Sequence, residues 1–479
     1  MLNQHTFFNR YLTPRATGAS DIDAHPIPRL ALLDDLQQCF KSSGVSHLQL
    51  EKIAIIGVQH ILETTTTLVQ HLIELGVPSK NIYLCGKCYS TSASVKISMK
   101  NLGIHLFDET KPSVPGKFLE STKQDIQAMW QQLEFDAPQK GIEKIIILDD
   151  GGRCFELMPP KLRLEYQIAG VEQTRAGLYV KEVNHLIFPV VDVASSAVKK
   201  LIEPSFIAEA TINKVKEIMP HFAINNKVVC GVIGCGAIGA AVANYLSQLG
   251  FYVLVYDEND AILRNLDIPN VVRVDSIETL IVNSQCVLGC TGKDVTAGLS
   301  LLDFISKDIT FISCTSEDKE FLSLLKDINK LSQEQKNITD PLDDIVCYTR
   351  NGNKITVTGG GYPINFMGRA PWNVPALHIA ITQALLFAGI YQAIFEAKKA
   401  FTQKGYINVP IKHMLQPELQ SYIVQRWQNT LPSEELHHYF PQAFLDLFNS
   451  PDWIAEQSNG QRNEQMHSLV PTQRLTCRL

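Results

Sequence analysis

The sequence predicts an α/β protein that contains two parallel β-sheets and a helical segment near its carboxyl end. Two observations predict this fold. Short apolar segments with the length of buried strands alternate with amphipathic segments of helical length, and the alternation occurs twice, first up to Gly152 and again from Lys227. Strands that are separated by helices pair in parallel, because each helix carries the chain back across the sheet.

The first series contains two helix-like segments and three strands, and its last strand ends in two carboxylates and two glycines. A polar, proline-containing leader, residues 1–30, precedes it. In chain order the segments are LALLDDLQQCFK (helix), KIAIIGVQ (strand), TTTLVQHLIELG (helix ending at Gly76), NIYLCGK (strand) and EKIIILDDGG (strand).

The second series has the same alternation and is followed by helical patterns from Ala376 to Lys404. Its segments are KVVCGVIG (strand), AIGAAVANYLSQLG (helix), YVLVYD (strand), SIETLIVNS (helix), CVLGCTG and ITFISCT (strands), and KITVTGGG as a candidate last strand. The polar composition near the carboxyl end predicts a partly disordered tail, residues 431–479.

Composition excludes several classes of protein. Hydrophobic residues make up 45% and charged residues 19% of the 479 residues, and the formal net charge is −6. This composition is typical of a soluble globular protein, and the charge favours neither nucleic acid nor a membrane as a partner. The apolar stretch 376–400 is interrupted by His378, Gln383 and Gln392, which favours a buried helix over a membrane span.

The eleven cysteines are scattered along the chain, which fits a reducing cytoplasmic location. The CGKC segment, residues 85–88, has the spacing of a redox pair or of half a zinc site. Because the sequence has no second segment of this kind, packed thiols are the favoured interpretation, and no metal site is predicted.

A glycine-rich turn, GCGAIG at residues 234–239, lies between a buried strand and an amphipathic helix, and the next strand ends in an acidic residue. Glycines at these positions allow a tight turn, close approach of a pyrophosphate and close packing of the helix, and the acid accepts the ribose hydroxyls. The acid also repels a 2′-phosphate, so a Rossmann-type NAD site is favoured over an NADP site and over a turn that binds nothing. The candidate cofactor-binding residues here are Gly234, Gly236, Ala237, Ile238, Gly239 and Asp257.

From about residue 52 to residue 405 the sequence resembles the S-adenosylhomocysteine hydrolase (adenosylhomocysteinase) family. The matching segments occur in the family's order, which carries more weight than any one of them. They are IIGVQHILETTTTLVQHLIELG, CYSTSASV, LDDGG, VEQTRAG, SSAVKKLIEPS, the glycine-rich turn, GCTGKD and GGGYPINF. The resemblance implies a discontinuous α/β substrate domain, residues 31–204 and 375–430, around an inserted Rossmann-type NAD-binding domain, residues 205–374.

The family's chemistry uses tightly held NAD to oxidise a ribose hydroxyl, and it needs acid and base groups around the sugar. The resemblance therefore implies His60, Asp150 and Lys200 as catalytic residues, with Lys200 as the base that takes the hydroxyl proton. It also implies that Asn365 contacts the nicotinamide end of the cofactor. The alternatives are a buried core histidine at position 60, a turn-capping acid at position 150 and a solvated surface lysine at position 200.

Several positions depart from the family's pattern, and the departures concern groups that its full reaction cycle uses. An amide cannot titrate and a proline ring cannot accept a proton, so the complete cycle of oxidation, elimination, hydration and reduction is not expected. The departures are Gln173, Pro204, Ser205, Glu209, Ser316 and Trp372.

The leading hypothesis is a cytoplasmic, NAD-dependent enzyme that acts on a hydroxyl-bearing small molecule, with a nucleoside as one candidate. Two alternatives stay open: a genuine S-adenosylhomocysteine hydrolase, and a catalytically inactive, NAD-bound regulatory partner. The resemblance also implies a homo-oligomer.

Overall fold

The structure is a computed structural model, and it describes residues 27–42, 48–180, 187–219, 228–366, 374–402, 405–406, 412–450 and 452–453. Two large β-sheets form the framework, and a third sheet is a two-stranded hairpin. We call the seven-stranded sheet and the helices packed on it the first unit, and the eight-stranded sheet and its helices the second unit.

The first sheet has seven strands, and every neighbouring pair is parallel. Its order is β17-β6-β5-β4-β1-β2-β3. The central strands are apolar almost throughout, which is typical of a parallel sheet covered on both faces. The strands are β1 (Ile53–Ile61), β2 (Ile82–Thr91), β3 (His105–Phe107), β4 (Lys144–Asp149), β5 (Gln167–Glu172), β6 (Val190–Asp192) and β17 (Lys412–Met414).

The helices up to α8 (Ala197–Leu201) belong to the first unit, and α9 (Glu203–Ile218) then leads the chain into the second unit. The predicted end of one helix at Gly76 is confirmed, since Gly76 adopts a positive φ of 129° directly after it. The helices are α1 (Ala31–Ser42), α2 (Glu63–Leu75), α3 (Ala93–Asn101), α4 (Phe118–Gln139), α5 (Arg153–Glu156), α6 (Leu162–Glu165), α7 (Arg175–Leu178), α8 (Ala197–Leu201) and α9 (Glu203–Ile218).

The second sheet has eight strands in the order β12-β13-β14-β11-β10-β7-β8-β9. Six strands pair in parallel, and the two strands beyond β14 are antiparallel, so the sheet continues past the strand that the sequence suggested as the last one. The strands are β7 (Val229–Ile233), β8 (Tyr252–Tyr256), β9 (Val271–Arg273), β10 (Cys286–Gly289), β11 (Ile309–Ser313), β12 (Lys336–Asn337), β13 (Ile345–Tyr348) and β14 (Lys354–Val357).

The helices of the second unit connect these strands, and four further helices follow the sheet. The hairpin lies directly after the longest of them. The elements are α10 (Ala237–Gln248), α11 (Asp260–Arg264), α12 (Ile277–Asn283), α13 (Leu301–Phe304), α14 (Leu322–Lys330), α15 (Ala376–Ala400), β15 (Phe401–Thr402), β16 (Gly405–Tyr406), α16 (Pro417–Gln428), α17 (Ser433–Tyr439) and α18 (Gln442–Leu447).

Helix α15 returns the chain to the first unit. It packs against β4, β5 and β6 and against helices α1 and α2. It is long and apolar enough to cross a membrane by composition, but 89% of its most apolar 18-residue window is buried inside the protein. The helix is therefore a core element of the first unit, as its polar interruptions predicted.

The first part of the predicted tail, residues 431–479, is helical, and its partial disorder remains a prediction. Helices α17 and α18 lie within it, and apolar residues in or next to these helices are buried in the core of the first unit, among them Phe440, Phe444 and Phe448. Phe444 lies within α18, whereas Phe440 and Phe448 directly follow α17 and α18, and the overall polar composition concealed this set of buried aromatic residues. Residues 454–479, like residues 1–26 of the leader, lie outside the described residues.

The predicted domain boundaries remain a prediction. The boundary at residues 204 and 205 falls in the first turn of α9, so a continuous helix crosses it. The boundary at residues 374 and 375 falls directly before α15, where the chain returns to the first sheet.

Candidate active site

Polar side chains gather at the carboxyl edge of the first sheet. They come from β1, β2, β4 and β5 or from the residue that follows the strand. Because these strands are parallel neighbours, their carboxyl ends meet at one edge, where open α/β sheets bind ligands. The residues are Gln59, His60, Lys87, Ser90, Asp149, Asp150, Glu172 and Gln173.

His60 and Asp150, two of the three predicted catalytic residues, are in contact. The Nε2 atom of His60 lies 3.1 Å from Oδ2 of Asp150, and its Nδ1 atom lies 2.6 Å from Oγ of Ser90. The His60 side chain is 15% exposed, whereas that of Asp150 is 1% exposed. His60 is therefore the member of this group that a ligand reaches first.

Asp150 binds two more side chains of the same edge. Its Oδ1 atom lies 2.7 Å from Nζ of Lys87, whose side chain is 2% exposed, and its Oδ2 atom accepts a hydrogen bond of 2.6 Å from Nε2 of Gln173. Gln173 in turn accepts a hydrogen bond from Gln59. We call His60, Ser90, Lys87, Asp150 and Gln173 the His60 cluster.

Burial and charge fix the protonation states of the cluster. Burial lowers the pKa of His60, and the nearby Asp150 offsets this only in part, so the imidazole is neutral at pH 7. Burial acts to raise the pKa of Asp150, but Lys87 and His60 outweigh it and hold that pKa well below its usual value. Burial likewise opposes the charge of Lys87, yet Asp150 raises the pKa of Lys87 above the usual value. The buried pair is thus a carboxylate and an ammonium.

Asp149, the neighbour of Asp150, has a structural role. It accepts hydrogen bonds from the backbone N–H groups of Asp150, Cys154 and Phe155, so it caps the turn that follows β4. Burial raises the pKa of Asp149 to about 7 and that of its strand neighbour Glu172 well above the usual value. The capping interpretation therefore applies to Asp149, and Asp150 is the acid that faces His60.

The position of Lys200 does not support its predicted role as the base. Lys200 is exposed on the short helix α8. Its neighbour Lys199 is half-buried, and the charge of Lys199 lowers the pKa of His60. Consecutive residues of a helix point in different directions, so Lys199 and Lys200 lie on different faces of α8, and the role of Lys200 as the base remains a prediction. The ammonium of Lys199 is paired with Glu203 at 2.6 Å.

The glycine-rich turn has the geometry that a dinucleotide needs. Gly234 adopts a φ of 88°, a conformation that other residues rarely adopt. A Cβ atom on Gly239 would lie 1.8 Å from the carbonyl oxygen of Gly234, so only glycine allows α10 to pack this close to β7. A Cβ atom on Gly236 would meet nothing within 4 Å, so the turn is open where the pyrophosphate approaches. Ala237 and Ile238 begin α10, whose N–H groups point to this space.

Asp257 and Asn365, the other two predicted cofactor-binding residues, differ in their surroundings, and their roles remain predictions. Asp257 follows β8 and accepts hydrogen bonds from the N–H groups of Cys235 and Asn259, so its carboxylate is fixed beside the glycine-rich turn. Asn365 is 1% exposed, and its Oδ1 atom has no hydrogen-bond partner among the described residues. A buried acceptor of this kind suits the carboxamide N–H of a nicotinamide.

The carboxyl edges of the two sheets meet. Glu317 and Asp318 follow β11 of the second unit, and both contact the first unit: the hydroxyl of Tyr89 accepts a hydrogen bond from the Glu317 N–H, and Asp318 accepts one from the Phe118 N–H. Tyr89 also stacks on Tyr362, with 4.9 Å between ring centroids. We call these five residues the contact between the units.

The residues that depart from the family's pattern have varied surroundings. Pro204 is buried in the first turn of α9, and Glu209 is buried between the hydroxyls of Tyr245 and Tyr439. Gln173 belongs to the His60 cluster, and Ser316 precedes the contact between the units. Trp372 lies outside the described residues.

Sequence reasoning missed Lys87, Ser90 and Glu317. Lys87 lies inside the CGKC segment, which drew attention to its cysteines; both are free thiols. The usable signal was the carboxyl-end position of Lys87 and Ser90 on β2, next to the strand that carries His60. Among the described residues, no group of three or more metal-ligating side chains is positioned to hold a metal ion.

The sequence-family model named D-isomer specific 2-hydroxyacid dehydrogenase, NAD binding domain, matches residues 206–299 of this chain. This segment contains the glycine-rich turn, α10, β8 and Asp257. The second unit therefore contains a Rossmann-like NAD-binding domain, and NAD is its cofactor. The match is to dehydrogenases, and the narrower resemblance to adenosylhomocysteinases remains a prediction.

Two curated relatives are uncharacterized proteins from two strains of Mycobacterium tuberculosis. Each is 26% identical over 347 residues, a match that covers 72% of this chain and 64% of the relative. The chain thus spans less than two thirds of the length of these relatives.

Several solved structures are similar in part. A D-isomer specific 2-hydroxyacid dehydrogenase from Lactobacillus delbrueckii, solved with NAD, is 15% identical with a TM-score of 0.30, covering 74% of this chain and 100% of that one. The A chain of dipicolinate synthase from Bacillus subtilis is 12% identical with a TM-score of 0.36, covering 71% and 97%. A D-lactate dehydrogenase from Treponema pallidum is 12% identical with a TM-score of 0.32, covering 72% and 96%. No conclusion about activity follows from scores this low.

Proposed function

We propose that the protein is an NAD-dependent oxidoreductase that acts on the hydroxyl-bearing carbon of an uncharged small molecule, with a nucleoside as the leading candidate. One observation carries this proposal. The carboxyl edge that bears the His60 cluster and the carboxyl edge that bears the NAD-binding turn meet through the contact between the units. Acid and base groups and a cofactor site on adjoining edges are what hydride transfer at an alcohol needs.

The pairing of charges favours an uncharged substrate over a 2-hydroxy acid. Among the described residues, three cations that lie in the cluster or beside it are each paired with a carboxylate of this chain. Lys87 is paired with Asp150, Lys199 with Glu203, and Arg153 with Glu156. A substrate carboxylate binds well where a cation is available to it, and here the cations already have partners. Ribose hydroxyls, in contrast, match the neutral imidazole and the amide groups of this edge.

The cluster supplies a route for the hydroxyl proton. Because Asp150 is ionised, the His60 proton lies on Nε2, and Nδ1 accepts from Ser90. The substrate proton then passes to Nδ1, directly or through the Ser90 hydroxyl. Asp150, 3.1 Å from Nε2, stabilises the imidazolium that forms. When bound, NAD supplies the acceptor for the hydride.

Gln173 argues against the hydrolase alternative. Its amide donates to Asp150, so at this position the site holds a neutral group that cannot exchange a proton. Oxidation and reduction of the hydroxyl need one base, which His60 provides, whereas elimination and hydration require further proton transfers. We therefore propose oxidoreduction as the activity.

The test is hydride transfer by the purified full-length protein. Bound nucleotide is identified by mass spectrometry after denaturation, and formation of NADH is followed at 340 nm with adenosine and other nucleosides, with neutral polyols and with 2-hydroxy acids. We expect NAD and turnover of the neutral substrates. The His60→Gln variant is expected to lower kcat by about 10²–10⁴-fold, the usual contribution of a general base.

His71→Gln is the matched control, because His71 is also buried but lies on α2, outside the cluster. Its ring contacts Asp34 of α1 and the Thr67 carbonyl of α2. The kcat of His71→Gln should equal that of the wild type. Bound NAD without NADH formation from any of these compounds would contradict the proposal and favour the inactive partner. Release of adenosine from S-adenosylhomocysteine would favour the hydrolase.

The cytoplasmic location and the homo-oligomer stay predictions alongside this function. Light scattering during size-exclusion chromatography measures the oligomeric state directly.

A further inference from the structure

Glu317 has an unusual backbone conformation for its residue type and surroundings. Its φ is 68°, and the only other described non-glycine residues with positive φ are Gln49 and Asn270. Glu317 is 3% exposed, whereas left-handed conformations of non-glycine residues are usually found for asparagine and aspartate in turns. A conformation of this kind persists only where the surrounding structure imposes it, and such residues cluster at functional sites.

Its contacts show what imposes the conformation. The carboxylate of Glu317 lies 3.5 Å from Nε of Arg153 in the first unit and 2.5 Å from Nζ of Lys319 in its own loop. Its backbone N–H donates to the hydroxyl of Tyr89. A Cβ atom on Gly151 would lie 3.5 Å from the same carboxylate. One residue of the second unit thus contacts two separate segments of the first.

Both of those segments carry members of the His60 cluster. Gly151 and Arg153 belong to the turn that directly follows Asp150, and Tyr89 directly precedes Ser90. The charge of Glu317 also interacts with Lys87, and this interaction contributes to the raised pKa of that lysine. Glu317 therefore contacts the two segments that carry Asp150 and Ser90, the partners of the two ring nitrogens of His60.

We propose that Glu317 is a positioning residue of the NAD-binding unit. It holds the turn after Asp150 and the segment before Ser90, so that Asp150 and Ser90 are correctly placed around His60 only when the two units are in contact. The proposal rests on the proposed function, since it assumes that the cluster and the cofactor act together. Among the described residues, Glu317 has no hydrogen bond or ion pair with a member of the His60 cluster. Its carboxylate acts through Arg153 and its backbone through Tyr89.

The experiment compares Glu317→Gln, Arg153→Gln and the double variant with the wild type. Glutamine keeps the length of the side chain and removes its charge. Hydrogen exchange of the NAD-bound, full-length protein is expected to become at least tenfold faster in peptides that cover residues 87–92 and 149–157, with no change in peptides of the glycine-rich turn. The Kd for NAD should be unchanged, and kcat should fall at least tenfold. The double variant should be no worse than the more affected single variant, because each single variant already removes the contact between Glu317 and Arg153.

Asp327→Asn is the control, since it removes a charge from an exposed ion pair with Lys330 in the same unit. It should alter neither exchange nor kcat. Unchanged exchange in the two peptides of Glu317→Gln would overturn the proposal, as would a loss of kcat that matches a loss of folded protein. Failure of the proposed function can be distinguished from failure of this proposal. In the first case the wild type itself would show no hydride transfer, and hydrogen exchange would still decide whether Glu317 holds the two segments.

Discussion

Replacement of Lys87 by methionine tests the charge pairing at the centre of the cluster. The substitution keeps an unbranched side chain of similar length and removes the ammonium, so the Asp150 carboxylate loses its counterion. Both side chains are almost fully buried, at 2% and 1% exposure, and solvent therefore cannot replace the lost partner.

The distance of 2.7 Å gives the scale of the effect. Two unit charges this far apart interact by about 6 kcal/mol at an effective dielectric constant of ~20. Desolvation of both groups offsets much of that attraction in the intact pair, but loss of one partner leaves the other charge uncompensated. The expected decrease in the free energy of unfolding is about 3–5 kcal/mol at pH 7.

The pH dependence has a definite sign. In the wild type the pKa of Asp150 is lowered, so its contribution to stability is present above the unfolded pKa and is lost as the pH falls through the folded value. Without Lys87 that pKa rises, and Asp150 becomes neutral at a higher pH. The stability difference between Lys87→Met and wild type should therefore shrink as the pH is lowered from 8 to 5.

Urea unfolding followed by circular dichroism and tryptophan fluorescence measures this difference. The matched control is Lys144→Met, because Lys144 is also buried but donates to the Leu48 carbonyl; its cost should be about 1–3 kcal/mol. Addition of Asp150→Asn to Lys87→Met should recover part of the loss. A cost no larger than that of the control, or one that grows towards pH 5, would refute the reasoning.

Two further substitutions test other parts of the fold. In Gly239→Ala the added methyl group would lie 1.8 Å from the Gly234 oxygen, so both the unfolding midpoint and the affinity for NAD should fall, the affinity by at least about tenfold in calorimetry. Gly236→Ala should weaken NAD binding alone, since its methyl group meets only the space for the pyrophosphate; equal effects of the two variants on stability would contradict this. Tyr439→Phe removes a hydroxyl donor from the buried Glu209, and its unfolding midpoint should fall by an amount equivalent to about 1–3 kcal/mol, whereas no change would mean that the carboxylate does not need this partner.

The parallel sheets could be predicted because their signal is local. Strands such as IAIIGVQHI are apolar except near their carboxyl end, and the helices between them end at glycines such as Gly76. The glycine-rich turn is local as well, since the strand, the turn, the helix and Asp257 follow one another in sequence. The antiparallel extension by β13 and β12 could not be predicted, because β12 has only two residues, both polar, and β13 has only four and is partly exposed.

The site was predictable only in part, because its members lie far apart in sequence. His60 and Asp150 were found through the order of motifs along the chain, and their contact depends on strand order, with β1 next to β4. Lys87 is marked in the sequence only by its position at the end of an apolar segment, and its pairing with Asp150 appears only in the folded sheet. Glu317 is recognised by its backbone angle and by its contacts across two units, neither of which is visible in the sequence.

The order of strands in the first sheet has a consequence for how the protein is synthesised. One edge strand, β17, and the helix that covers the face of β4, β5 and β6 both come from the last quarter of the chain. All strands of the second sheet lie between them and the rest of the first sheet in sequence. During translation the NAD-binding unit can therefore complete its own sheet while the first unit still exposes an apolar face that waits for residues 376–414. The unit that is encoded first is the unit that finishes folding last.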